Sequence, residues 1–206
     1  MTNSATEFRT STGDRMSIVA FMAAGILLAG WSVAQSVTTI VQAATNRDVR
    51  VLADFSGTIG QAPIGQGGAM RDVELVSAWV TAPQLPLASF GALMARELIS
   101  SAATVAIVGC LVWLAANVLR GRLFSRTNTT LVAAVSIGGL VTWAAIALLN
   151  TMVANGAFAR ISGREFDNPV MSIPLMPLLL LAFAASIVVT AFTVGDRMRR
   201  DTEGLV

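Results

Sequence analysis

The 206-residue chain contains no histidine, no lysine and no tyrosine, and only one cysteine. Each absence removes a class of chemistry. Without histidine or lysine there can be no Ser-His-Asp triad, no Ser-Lys dyad, no Schiff base and no imidazole metal ligand. One cysteine allows no intrachain disulfide, and Cys110 sits in an apolar run where a thiolate is disfavoured, so it is expected to serve packing. General acid–base work would fall to Asp and Glu alone. The chain is therefore expected not to be an enzyme, and to use no cofactor and no metal.

Charge is also scarce. Charged residues make up 13% of the chain against 54% hydrophobic, with a mean hydropathy of +0.69; a soluble domain carries roughly 25% charged residues. All 14 basic residues are arginines, set against 12 acids for a net charge of +2. That near balance predicts no basic face for direct nucleic-acid binding. The expected surroundings are a lipid bilayer.

What the chain does hold is long apolar runs. A hydrocarbon core of about 30 Å needs about 20 apolar residues in a helix. The charge-free stretches 16–46, 98–119, 127–159 and 168–195 all meet this. They predict spans at about 16–42, 98–119, 129–152 and 173–194, with outer loops at 43–97 and 153–172, an inner loop at 120–128 and a tail at 195–206. The expected fold is a single all-α membrane domain over 1–206. Four transmembrane helices would form an antiparallel bundle, with a small β-containing extracytoplasmic loop. Pro169, Pro174 and Pro177 crowd the entry to the fourth helix, which predicts a start near Ile173.

Orientation follows the arginines. RGRLFSRTN, between spans two and three, holds Arg120, Arg122 and Arg126 and no acid, the pattern of a short cytoplasmic loop. Both termini then lie inside, where Arg9, Arg15, Arg197, Arg199 and Arg200 add to the same side. This predicts a multi-pass protein of the bacterial cytoplasmic membrane. The first span has a rival explanation as a cleavable signal ending at Ser32-Val33-Ala34. Apolar character runs on through Ser36–Val41, longer than a signal core needs, and favours an uncleaved helix.

In the first outer loop, VRVLADF (49–55) and DVELVSAWVTAP (72–83) are rich in β-branched and aromatic residues with partial alternation. They predict two short antiparallel strands around a Gly-dense turn, residues 57–68. That turn lacks the Gly-Lys-Ser/Thr end of a phosphate loop. The third loop could add a strand near Phe158–Ile161. The second helix is expected to begin near Pro86, ahead of its span, placing Arg96 and Glu97 at the outer interface.

No ionisable residue falls inside the spans, which disfavours a pump or an ion-coupled transporter. Ser32, Gln35, Thr39 and Gln42 share one face of the first helix, as either a polar seam or a set of interhelical hydrogen bonds. Small residues four apart (Gly25 with Ala29, Gly30 with Ala34, Ala134 with Gly138) allow close helix approach, a weak signal in Ala-rich spans. Asn117 and Asn150 lie near helix ends, where solvation at the boundary accounts for them. Trp31, Trp113 and Trp143 are expected to pack or touch lipid. Asp54, Asp72, Glu74, Glu165 and Asp167 match no Ca²⁺ loop and are expected to be solvated.

Two inner segments stand apart. In RGRLFSRTN, Thr127 and Asn128 are expected to cap the third helix. In the closing GDRMRRDTEGLV, Asp196 with Arg200 and Arg197 with Asp201 are spaced four apart for pairing along a helix extension. Its arginines suit anionic lipid headgroups, and its Gly-Leu-Val end is either a docking tip or a frayed terminus.

These two segments, Gly121–Asn128 entering the third helix and Gly195–Val206 closing the chain, carry a resemblance. With the long outer loop, the layout resembles the bacterial domain of unknown function 2975 family of four-helix membrane proteins. Members are often encoded beside small helix-turn-helix regulators. The resemblance therefore implies a membrane protein that holds or senses for a DNA-binding partner, and it transfers no catalytic residue.

The leading expectation is a non-enzymatic protein-binding or regulatory module. Its partner surface would be Arg120, Arg122, Phe124, Arg126, Arg197, Arg199, Arg200, Glu203, Leu205 and Val206. The alternatives are a small-molecule permeation module using the Gln35/Gln42 seam, or an accessory subunit of a larger membrane complex.

Overall fold

The computed structural model describes residues 11–163 and 175–203. The chain is mostly helical, in the order α1 (Thr12–Ala43), β1 (Val49–Ala62), β2 (Arg71–Ala82), α2 (Leu87–Leu119), α3 (Arg126–Ile161) and α4 (Leu175–Glu203). All four helices are long and apolar enough to cross a membrane. The first three helices contain the spans expected for them and run past them, and α4 runs past residue 194 to Glu203, because hydropathy detects only the apolar stretch. Ile173, the expected start of the fourth helix, lies outside the described residues, as do Pro169 and Pro174; Pro177 sits in the first turn of α4.

The helix ends have local causes. At the start of α1, the Ser11 amide donates to Asp14 Oδ2 at 3.0 Å and the Gly13 amide to Ser11 Oγ at 3.3 Å, a reciprocal cap. At the end of α2, Gly121 takes φ 75°. The Gly121 amide donates to the Val118 carbonyl and the Arg122 amide to the Asn117 carbonyl, both at 2.9 Å. This is a Schellman stop, where a residue with a Cβ would be strained.

The chain divides into two compact units. One unit comprises Ser36–Ser100 and Trp143–Pro174 and contains the hairpin. Its core joins Ala43, Val49, Val51, Ala82, Leu85, Ala92, Leu93, Val153 and Ala157. The hairpin begins where Asn46 brackets Leu85: its Nδ2 donates to the Leu85 carbonyl and its Oδ1 accepts from the Leu85 amide, both at 2.9 Å. The strands run antiparallel from Val49 opposite Ala82 to Ala62 opposite Arg71. The expected alternation is present at the base, where Val49, Val51 and Ala53 are buried and Leu52 is exposed. On the outer side the Arg50 guanidinium lies 4.8 Å from the Trp79 ring centroid.

Two expectations in this unit are corrected. Residues 57–62 are strand, not turn. An irregularity between Asp54 and Thr58, with Gly57 at φ 74°, absorbs extra residues of β1 and lets pairing resume. The reversal itself occupies 63–70, where Gly67 and Gly68 take positive φ. Nor is Phe158–Ile161 a strand. It is the last turn of α3, because Val153, Ala154, Ala157 and Phe158 recur on one helical face. Phe158 meets Phe55 edge-to-face at 5.1 Å, and Ala53 and Ala154 join the same cluster. Helix periodicity rather than alternation governs that segment.

The other unit comprises Met1–Gln35, Ser101–Thr142 and Leu175–Val206. The close-approach glycines are partly borne out there. A Cβ on Gly25 would stand 3.3 Å from Val108, whereas one on Gly30 or Gly138 would meet open space.

Candidate functional site

The turn between α2 and α3 is built around a buried asparagine. Asn128 is fully buried, accepts from Asn117 Nδ2 at 2.7 Å, and donates to the carbonyls of Arg122 and Leu123, the latter at 2.8 Å. Its own amide donates to Ser125 Oγ at 3.2 Å, so Ser125 is the cap of α3 and Asn128 is the third helical residue. The capping expected of Thr127 and Asn128 thus falls to Ser125, two and three positions earlier. Asn117 is not solvated at a boundary either: it is buried and spent on Asn128. In the hairpin-containing unit, Asn150 Oδ1 accepts from Arg96 Nη1 at 3.1 Å, and Arg96 also pairs with Glu97.

The closing segment continues α4 as helix to Glu203. It meets the α2–α3 turn at one close contact. A Cβ on Gly195 would lie 2.4 Å from Phe124 Cδ1, so the ring rests on bare backbone. Phe192, one turn earlier, meets Phe124 at a centroid distance of 5.8 Å. Asp196 is buried to 3% exposure although it directly follows the apolar run. Its Oδ2 accepts from Arg200 Nη2 at 2.7 Å. Its Oδ1 has no hydrogen bond among the described residues and stands 3.8 Å from Arg199 Nη2. The expected Asp196–Arg200 pair is formed; no ion pair joins Arg197 to Asp201 among the described residues.

The two segments singled out in the sequence therefore share a surface. An open groove of about 810 Å³ runs along one face of α4, through Ile187, Thr190, Ala191, Val194 and Met198, to Phe124 and Arg199. A second hollow of about 600 Å³ is lined by Gly121–Ser125 and Arg199. Phe124 and Arg199 border both. Arg120, Arg122, Arg126, Arg197 and Arg200 are exposed. Glu203 closes α4, and Leu205 and Val206 lie outside the described residues. This arrangement offers cationic and aromatic surface on a rigid turn, suited to holding an anionic or mixed-character partner.

The residues of the proposed seam lie elsewhere. Ser32 and Thr39 are half-buried on α1, Gln35 and Gln42 are exposed, and the buried hydroxyl of that helix belongs to Ser36. Cys110 is half-buried and borders a small cavity of about 230 Å³ with Ala103, Ala106, Ala134 and Gly138. No group of three potential metal-ligating side chains occurs among the described residues. Glu165 and Asp167 lie outside them, and Asp72 accepts from Gln61 at 3.2 Å.

Sequence reasoning missed Ser125, Gly195, Phe192 and the burial of Asp196. The glycine at 195 was visible in the sequence, but helical glycines such as Gly30 and Gly138 meet open space, so its contact with Phe124 was not. No family model, curated protein or solved structure matches the chain.

Proposed function

We propose that the chain is a non-enzymatic integral protein of the bacterial cytoplasmic membrane, whose four helices insert as an antiparallel bundle with both termini inside. In this reading it is a regulatory module holding a cytoplasmic protein at the membrane. Its resemblance to the domain of unknown function 2975 family makes a small helix-turn-helix regulator the partner of choice.

Insertion is supported by large apolar side chains exposed along the helices, among them Leu27, Trp31, Trp113, Ile137, Leu180 and Phe183. Lipid is the solvent that such surface fits. The partner surface rests on one observation, the seating of Phe124 against Gly195. That contact joins the arginines of the inner turn to those of the tail.

Sequestration is the mechanism this surface suits. A signal at the outer hairpin would alter partner binding only by favouring one of two bundle states over the other. The test is crosslinking in native membranes followed by mass spectrometry, comparing the natural chain with an Arg126→Glu/Arg197→Glu variant. Both residues are exposed, so the fold should persist. A cytoplasmic protein captured by the natural chain should be lost from the variant; equal capture would refute this surface.

A further inference from the structure

The groove along α4 has features that a protein-docking surface does not require. Its lining positions Ser186, Ile187, Thr190, Ala191, Val194 and Met198 recur at helical spacing on one face. From 186 to 199 this face is about 20 Å long at 1.5 Å per residue, slightly more than the ~15 Å of one hydrocarbon leaflet. The Ser186 hydroxyl is spent on the Phe183 carbonyl at 2.8 Å, so the wall is apolar apart from the Thr190 hydroxyl. Character changes abruptly at one end. There the groove meets Phe124 and Arg199 and adjoins the hollow lined by Arg122 and Ser125, at the amino end of α3. Asn128 holds the Arg122 carbonyl and the Asn117 carbonyl holds the Arg122 amide, so this arginine projects from a fixed backbone.

We propose that this groove and hollow form a binding site for one anionic phospholipid. An acyl chain would lie along Ile187–Val194 and the phosphate would sit between Arg122 and Arg199. The site joins a tail-length apolar trough to a cationic end. Guanidinium groups recognise phosphate through paired, charge-assisted hydrogen bonds, and the amino end of a helix adds favourable potential for an anion. Asp196 pairs with Arg200 through Oδ2 at 2.7 Å and stands 3.8 Å from Arg199 through Oδ1, so the several N–H donors of Arg199 would be shared between that carboxylate and the phosphate. The inference rests on the membrane reading above but not on the protein partner.

The test reconstitutes the full chain into nanodiscs of phosphatidylcholine and phosphatidylglycerol at a ratio of about 4:1, then counts retained lipid by native mass spectrometry after mild detergent release. The natural chain should retain phosphatidylglycerol in preference to phosphatidylcholine. Arg122→Gln/Arg199→Gln should lower that retention about tenfold or more, since a charged hydrogen bond contributes about 1.5–3 kcal/mol and 1.4 kcal/mol is tenfold. Arg120→Gln/Arg197→Gln removes as much charge from the same end and should change it less than about twofold. Ala191→Trp, which fills the trough without altering charge, should also lower retention. Equal losses from the two arginine pairs, or no preference for the anionic lipid, would overturn the site while leaving the membrane reading intact. Release of the chain from native membranes by alkaline carbonate would overturn both.

Discussion

A methyl group added at Gly195 would lie 2.4 Å from Cδ1 and 2.5 Å from Cε1 of Phe124, far inside van der Waals contact. Helix propensity alone makes glycine-to-alanine a gain of about 1 kcal/mol. The Phe124 contact reverses that sign. Gly195→Ala is expected to destabilise the protein by about 1–3 kcal/mol, the usual cost of overpacking, seen as a lower Tm in detergent. Phe124→Ala in the same chain should recover most of the loss, whereas a raised Tm for Gly195→Ala alone would show that the ring is not seated there. Asn128 gives a second test. Replacing it with alanine leaves the buried Asn117 amide without its partner, at about 1–3 kcal/mol, and also releases two part-buried loop carbonyls. Asn128→Ala should therefore lower Tm more than Asn117→Ala, and the reverse order would contradict the network.

The hairpin's attachment to its unit is a property of elements. Its base is tied by the Asn46 bracket on Leu85, the Asp48 amide on the Pro83 carbonyl at 3.1 Å, and the Phe55–Phe158 contact. Asn46→Ala removes the bracket and exposes the left-handed backbone there, where φ is 47°, to added strain. Hydrogen exchange should accelerate at amides 49–54 and 77–82, with amides 101–118 unchanged. Uniform acceleration along the chain would mean that the bracket supports more than the hairpin base. Each strand was legible because Val49, Val51 and Ala53 alternate into a one-sided core. The length of β1 was not, since Gly57 and Gly60 carry the composition of a turn although one lies in the strand's irregularity and the other is paired with Val73. The end of α3 was equally opaque: Ala157 and Phe158 are half of a contact whose other half, Phe55, is about a hundred positions away in the chain. Phe124 was visible as an oddity of the inner turn, but its seat on Gly195 depends on a meeting that no local pattern encodes.

At the scale of the molecule, composition and run length were enough to find all four long apolar helices, because hydropathy is a coarse property summed over about 20 residues. The contacts that build the candidate surface arise from single atoms and become visible only with coordinates. The functional proposal needs the α2–α3 turn and the carboxyl end of α4 in one compartment, and hence an even number of crossings. The most direct measurement is the labelling of single cysteines by a membrane-impermeant thiol reagent on intact spheroplasts. Ser11→Cys, Gln66→Cys and Asp201→Cys would be placed one at a time in a chain carrying Cys110→Ala. The account predicts that position 66 labels at once, and that positions 11 and 201 label only after the membrane is permeabilised. Labelling of 11 and 201 from opposite sides, or of 201 from outside, would contradict it.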